Sequence, residues 1–275
     1  MNRETILALN RLNQLFYSQA APSFDATRQT AWTGWLKLIP ILTPLFELNQ
    51  SLRILDVGCG NGRFLEFLEK AFPTKSFEYF GLDLSQELLT KAKAKFTTPK
   101  NEVKSQWQKF DLVQTWLDNP DLSQLSIPIW RQTYDLIVVF GVLHHLPSCQ
   151  LRLDWLKKLG SQVANGGFLI TTDWQFQNEA ARFQTKTIMP ELVGLTTDKL
   201  EENDLILDWK QGKTHYRYCH LANPAELLTQ TQALAQTLPQ LQLRTSFQAD
   251  GRSDTLNHYR VWQIVAASNF ESLGL

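Results

Sequence analysis

Ile54-Leu55-Asp56-Val57-Gly58-Cys59-Gly60-Asn61-Gly62 is the stretch that decides the fold. The apolar start predicts a buried strand, the glycines a tight turn, and Arg63 to about Ala71 a helix directly behind. Three alternating glycines let the backbone turn sharply and approach a ligand with no Cβ in the way. The helix start then offers unpaired N–H groups and the positive end of its dipole. A dinucleotide fingerprint, G-x-G-x-x-G, needs its third glycine where Arg63 stands, whereas here it falls at Gly62. Nicotinamide and flavin nucleotides are disfavoured.

Downstream segments repeat the strand-then-loop pattern. Phe77 to Asp83 reads as a second strand ending in an acid, about twenty residues past the glycines. An acid at that place accepts hydrogen bonds from ribose hydroxyls; its plainer role is to cap a helix starting near Ser85 and Gln86. Val103 to Phe110 leads into Asp111-Leu112. Tyr134 to Gly141 is a nearly continuous apolar run, as for a strand buried on both faces, and it opens into Val142-Leu143-His144-His145-Leu146-Pro147. Gly166 to Thr172 makes a fifth strand, entered from a helix over Leu151 to Val163.

The pattern D-x-G-x-G-x-G from Asp56 to Gly62 resembles motif I of the class I S-adenosylmethionine (SAM) methyltransferases, and YDLIVVFGVLHHLP resembles their fourth-strand motif. The resemblance implies an α/β fold, a doubly wound, mostly parallel seven-stranded Rossmann-like sheet with SAM as cofactor. It assigns cofactor contacts to Asp56, Gly58, Cys59, Gly60, Gly62, Asp83, Leu84, Asp111, Leu112 and Phe140, with Asp111 on the exocyclic amine of adenine.

The 275 residues suffice for one methyltransferase domain with elaborations. We expect an N-terminal helical cap over 1–50, a cofactor-binding core over 51–175, a substrate lid over 176–225, and a final helix and strand pair over 226–275. Lys plus Arg and Asp plus Glu are 27 each, so the chain lacks the basic excess usual in a polyanion binder. Three cysteines without CxxC spacing predict a reducing compartment and no metal site, so a cytoplasmic location is expected. The longest apolar run, Leu36 to Leu48, is too short to span a bilayer and is interrupted by Pro40 and Pro44, so no membrane partner is expected.

Two further blocks narrow the resemblance. Phe16-Tyr17 through Thr27-Arg28 to Trp32, and Arg217-Tyr218-Cys219-His220-Leu221, together with His144-His145, look like the tRNA wobble-uridine carboxymethyl methyltransferases. Cys219 and Ala222 depart from that family's Arg-Tyr-Tyr-His-Leu-Phe pattern. The resemblance implies a tRNA substrate whose carboxymethyl group is esterified, and eukaryotic members act with a small zinc-binding protein subunit. A small-molecule acceptor of an O- or C-methyltransferase stays open as the alternative, as does a SAM-binding partner protein without turnover.

A carboxylate acceptor is already ionised at neutral pH and needs no general base. It needs cations that fix one oxygen while the other attacks, which suits Arg28 and Arg217, because guanidinium grips carboxylate through two parallel bonds. The plainer reading of each arginine is a salt bridge. His144 and His145 stand where the fourth strand meets its loop and are the remaining catalytic candidates. Tyr17, Trp32, Tyr218 and His220 are expected to bind substrate. Trp35, Trp107, Trp155 and Trp262 read as packing, and Cys59 as a small residue between glycines.

Overall fold

A computed structural model describes residues 1–20, 30–48, 51–97, 103–125, 127–175, 183–211 and 213–265. Two helices lead, α1 (Arg3–Gln19) and α2 (Thr33–Leu48). The alternating core follows: β1 (Leu52–Val57), α3 (Arg63–Ala71), β2 (Phe77–Asp83), α4 (Gln86–Lys95), β3 (Lys104–Lys109), α5 (Leu112–Asp118), β4 (Tyr134–Val139), α6 (Cys149–Gly160) and β5 (Val163–Trp174). After it come β6 (Thr187–Ile188), β7 (Asp204–Gln211), β8 (Lys213–His220), α7 (Pro224–Thr237), β9 (Leu241–Ala249) and β10 (Asn257–Ile264).

Seven strands form one sheet in the order β3-β2-β1-β4-β5-β10-β9, with β10 antiparallel to both neighbours. Strand order reverses between β1 and β4, and a crevice at such a switch point is where open α/β sheets take ligands. Alternation along the strands divides the core. Leu55, Val57, Ile137 and Val139 pack with α6 residues Trp155 and Leu156 on one face; Ile54, Leu136 and Val138 pack with Trp35 and Leu38 of α2 and Phe64 of α3 on the other. Helix α2 runs through both Pro40 and Pro44. Interior prolines cost a helix roughly 3 kcal/mol each, and the burial of Trp35, Leu38, Leu42, Leu45 and Phe46 holds this one in place.

The polar stretch expected as a lid contains its own sheet, in the order β6-β7-β8. Its apolar residues are few because it is small and packs on the rest of the chain: Ile206 and Tyr218 meet Leu9 of α1, and Leu207 and Cys219 meet Trp174 and Phe183. No helix among the described residues is long and apolar enough to cross a membrane.

Candidate active site

The cleft opens at the carboxyl ends of β1 to β5. Gly58 N–H and Cys59 N–H both donate to the carbonyl of Leu82, at 2.7 and 2.9 Å, tying the glycine loop to the end of β2. Gly58 has φ +79°, and a Cβ there would lie 2.1 Å from a methyl of Val142, so no other residue fits. Gly60, at φ +56°, has nothing within 4 Å in front of it, so its backbone faces open ground. Gly60 N–H donates to Oδ2 of Asp83 at 2.8 Å, and Ser85 N–H to Oδ1 at 2.8 Å. Ser85 itself caps α4, so Asp83 is not the cap.

Burial pushes the Asp83 carboxyl up to about 6. Burial also pushes Asp56 up to about 7, against the hydrogen bond it accepts from the Tyr79 hydroxyl. Cys59 is buried, and burial pushes its thiol up, which keeps it protonated and fits its reading as a spacer.

Asp111 lines the cleft, but its carboxylate has more work than sequence suggested. It caps α5 through Gln114 N–H and accepts from the amides of Asn10 (3.0 and 3.2 Å) and Gln14 (2.7 Å) of α1. Asn13, one turn on, donates to the carbonyl of His145 at 3.2 Å and accepts from Tyr218 N–H at 2.9 Å. Helix α1 is thus stitched to the loops of β3 and β4 and to the free edge of β8.

Elsewhere along the cleft, Arg217 is 5% exposed and sits among ring faces: Trp174 at 5.1 Å, Phe16 at 5.2 Å and Trp209 at 5.6 Å. Its Nε and Nη1 are buried without a hydrogen-bond partner, and no carboxylate pairs with it among the described residues. His144 stacks on Trp174 with centroids 3.8 Å apart and planes 13° from parallel. His145 Nδ1–H donates to the carbonyl of Tyr218 at 2.9 Å, which leaves Nε2 to accept from the Tyr17 hydroxyl at 2.7 Å. His144, His145 and Cys219 bring nitrogen and sulfur atoms within 4.8 Å of one another, a juxtaposition invisible in the cysteine spacing. Both nitrogens of His145 are engaged, and burial pushes the Cys219 thiol up to about 12, so the group reads as packing rather than as a metal centre.

The cleft encloses about 1280 Å³, solvent at its mouth included. Asp56, Gly58, Cys59, Gly60, Asp83, Leu84, Asp111, Leu112, Phe140, Tyr17, Trp32, His144, His145 and Arg217 all line it. Gly62 does not: it begins α3 from the left-handed region, packed under Phe96 and Trp107. Tyr218 and His220 correct a second expectation. Alternation along β8 turns Arg217 and Cys219 to one side and Tyr218 and His220 to the other. There Tyr218 and His220 both bond Asp204, and His220 also bonds Glu226 and lies beside Arg152, all away from the cleft. Arg28 and Thr27 lie outside the described residues. Sequence reading missed Trp174, Asn10 and Asn13, and it took Trp35, which also lines the cleft, for packing alone.

These residues fit a sulfonium nucleoside. Open ground lies before Gly60, an acid waits at the ribose position, and apolar walls flank both. Residues 55–169 match a family model described as a methyltransferase domain. The tRNA (carboxymethyluridine(34)-5-O)-methyltransferase of Arabidopsis thaliana is 26% identical over 170 residues, 62% of this chain and 34% of that protein. Its Saccharomyces cerevisiae counterpart is 23% identical over 167 residues, 60% of this chain and 49% of that one. The chain thus matches between a third and a half of the length of these relatives. An S-adenosylmethionine-dependent methyltransferase from Clostridium acetobutylicum superposes with a TM-score of 0.58 at 14% identity, covering 94% of this chain and 99% of that one. Glycine loop, strand order and domain match agree: residues 55–169 carry a methyltransferase domain, in the fold of the SAM-dependent methyltransferases.

Proposed function

We propose that this domain transfers the SAM methyl group to a carboxylate, that of a carboxymethyl group on the wobble uridine of tRNA. The observation that carries the reading is Arg217, a buried guanidinium surrounded by rings, with no carboxylate partner among the described residues, lining the same cleft as the glycine loop. Burying an uncompensated cation costs several kcal/mol, and each ring face returns about 0.5–2 kcal/mol. A substrate carboxylate supplies the missing counter-ion, with one oxygen held by the guanidinium and the other left to attack.

Bound SAM would supply an electrophilic methyl on its sulfonium sulfur; an acceptor carboxylate oxygen would attack that methyl in line, forming the O–C bond as the S–C bond breaks and S-adenosylhomocysteine leaves. Residues of the chain then have to hold the acceptor and exclude water. Arg217 fixes one carboxylate oxygen, and Trp174 with His144 makes the flat wall beside it. His145, with both ring nitrogens committed, holds β8 in place, and a carboxylate acceptor has no proton for it to take. The carboxymethyluridine relatives support the tRNA acceptor. The net charge of zero favours the second reading, a small carboxylic acid in the same site.

The test is transfer of labelled methyl from SAM into total tRNA from a strain deleted for the gene, with a small-metabolite extract alongside. Label in tRNA that mild alkali releases supports an ester on a modified base. Label in the metabolite fraction alone moves the assignment to the second reading.

A further inference from the structure

The sheet order lays the loop residues out along the cleft. Asp111 follows β3, Asp83 ends β2, Asp56 to Gly60 lie on β1 and its loop, Gly141 to His145 follow β4, and Trp174 ends β5. A nucleoside with its ribose at Asp83 and its base toward Asp111 therefore sends its amino-acid tail over the ends of β1 and β4. That tail is a zwitterion and calls for an anion and a cation together. Asp56 is the anion there. The cation nearest the glycine loop along the chain is Arg63.

Arg63 is the first residue of α3 and lines the cleft. Its guanidinium lies over Trp32 and Trp35, at 5.8 and 5.6 Å from their centroids, and Nη1 donates to the carbonyl of Thr30 at 2.9 Å. The two indoles stack at 5.4 Å. Trp32 approaches Gly141, where a Cβ would lie 3.2 Å from its ring and 4.0 Å from His144. His144 in turn stacks on Trp174, and Trp174 carries Arg217. One aromatic wall thus runs along the cleft with a guanidinium at each end. The charge of Arg63 also reaches Asp56, whose ionised form it favours.

We propose that Arg63 binds the carboxylate of the methionine moiety of SAM, leaving Arg217 for the acceptor. The ring faces fix the plane of the Arg63 guanidinium, which is what two-point recognition of a carboxylate requires. A cleft that takes two carboxylates needs each cation committed to one of them. The role of Arg63 rests on the cofactor alone, whereas leaving Arg217 for the acceptor rests on the carboxylate acceptor proposed above.

The experiment is calorimetric titration of wild type and Arg63→Gln with two probes, S-adenosylhomocysteine and its decarboxylated analogue S-adenosyl-3-thiopropylamine, which keeps the amine. For S-adenosylhomocysteine the variant should bind about 10- to 100-fold more weakly, the range of a hydrogen bond to a charged group. The decarboxylated analogue should bind both proteins alike. Equal loss for both probes would make Arg63 a support of the loop and overturn the inference, as would unchanged S-adenosylhomocysteine affinity. Arg63→Lys, which keeps the charge and guards against misfolding, should fall between wild type and Arg63→Gln for S-adenosylhomocysteine alone. Wild type that binds neither probe would overturn the cofactor itself, and this inference with it.

Discussion

The Tyr17 hydroxyl donates to Nε2 of His145 at 2.7 Å, and the opposite nitrogen of the same ring donates to the carbonyl of Tyr218 at 2.9 Å. One imidazole thereby joins the first helix, the loop after β4 and the edge strand of the small sheet. Tyr218 N–H, on that same edge, is taken by Asn13. The strand bearing Arg217 is therefore placed by side chains of α1 and by His145.

Tyr17→Phe removes one of these bonds and should lower stability by about 1 kcal/mol, the worth of a single hydrogen bond. Asn13→Ala removes two and strands a buried N–H, so it should cost about 2–3 kcal/mol. Denaturant unfolding measures both. In neither variant should S-adenosylhomocysteine affinity change beyond threefold, while methyl transfer should fall at least tenfold, because the residues place Arg217 rather than the glycine loop.

Gly58→Ala should abolish cofactor binding. The left-handed backbone alone costs an L-residue about 1–2 kcal/mol, and the added methyl would stand 2.1 Å from Val142, on the loop that carries the histidines. A cofactor titration and a thermal melt of this variant check the two effects separately.

Cofactor affinity should weaken on acidification. Burial pushes Asp83 up to about 6 and Asp56 up to about 7. Hydroxyl recognition at Asp83 and ammonium recognition at Asp56 both use the ionised carboxylate, so affinity is lost as pH falls through 7 and then 6. Titrations from pH 8 to 5 follow the loss, and Asp56→Asn should remove its upper part.

His220 contributes stability with the opposite sign. Burial would depress its pKa, but the carboxylates of Asp204 and Glu226, at 2.7 and 2.6 Å, raise it above the ordinary 6.5. A raised folded value means the contribution is complete below 6.5 and is lost as pH climbs through the folded value. Unfolding free energy should therefore fall as pH rises above 6.5 in wild type, and His220→Gln should flatten that slope. The variant should also be about 3–5 kcal/mol less stable at pH 6, as when a buried ion pair is broken.

Strands β1, β2, β4 and β5 were legible because they are largely apolar runs, whereas the edge strand β3 is polar and was placed by the Phe110-Asp111 that follows it. Asp83 and the glycine loop were legible because their chemistry and their place in the strand pattern coincide. The Arg217 to His220 block was misread as one cluster. Two-residue alternation splits it, and that signal was present in the sequence once the segment was taken for a strand rather than a polar lid. Asn10, Asn13 and Tyr17 stand at i, i+3 and i+7 on α1, a polar stripe that a search for apolar faces passes over. Trp174 was missed because β5 runs two residues beyond the expected end at Thr172. The pairing of Asp111 with Asn10 and Gln14 spans about a hundred residues and had no local trace.

The most direct test of the central claim compares wild type with Arg217→Met, measuring labelled methyl delivered from SAM to tRNA of the deletion strain and S-adenosylhomocysteine affinity on the same preparations. The account predicts alkali-labile label with wild type, at least a hundredfold less with Arg217→Met, and cofactor affinity unchanged between the two. Alkali-stable label, or an Arg217→Met protein that methylates as well as wild type, would contradict it.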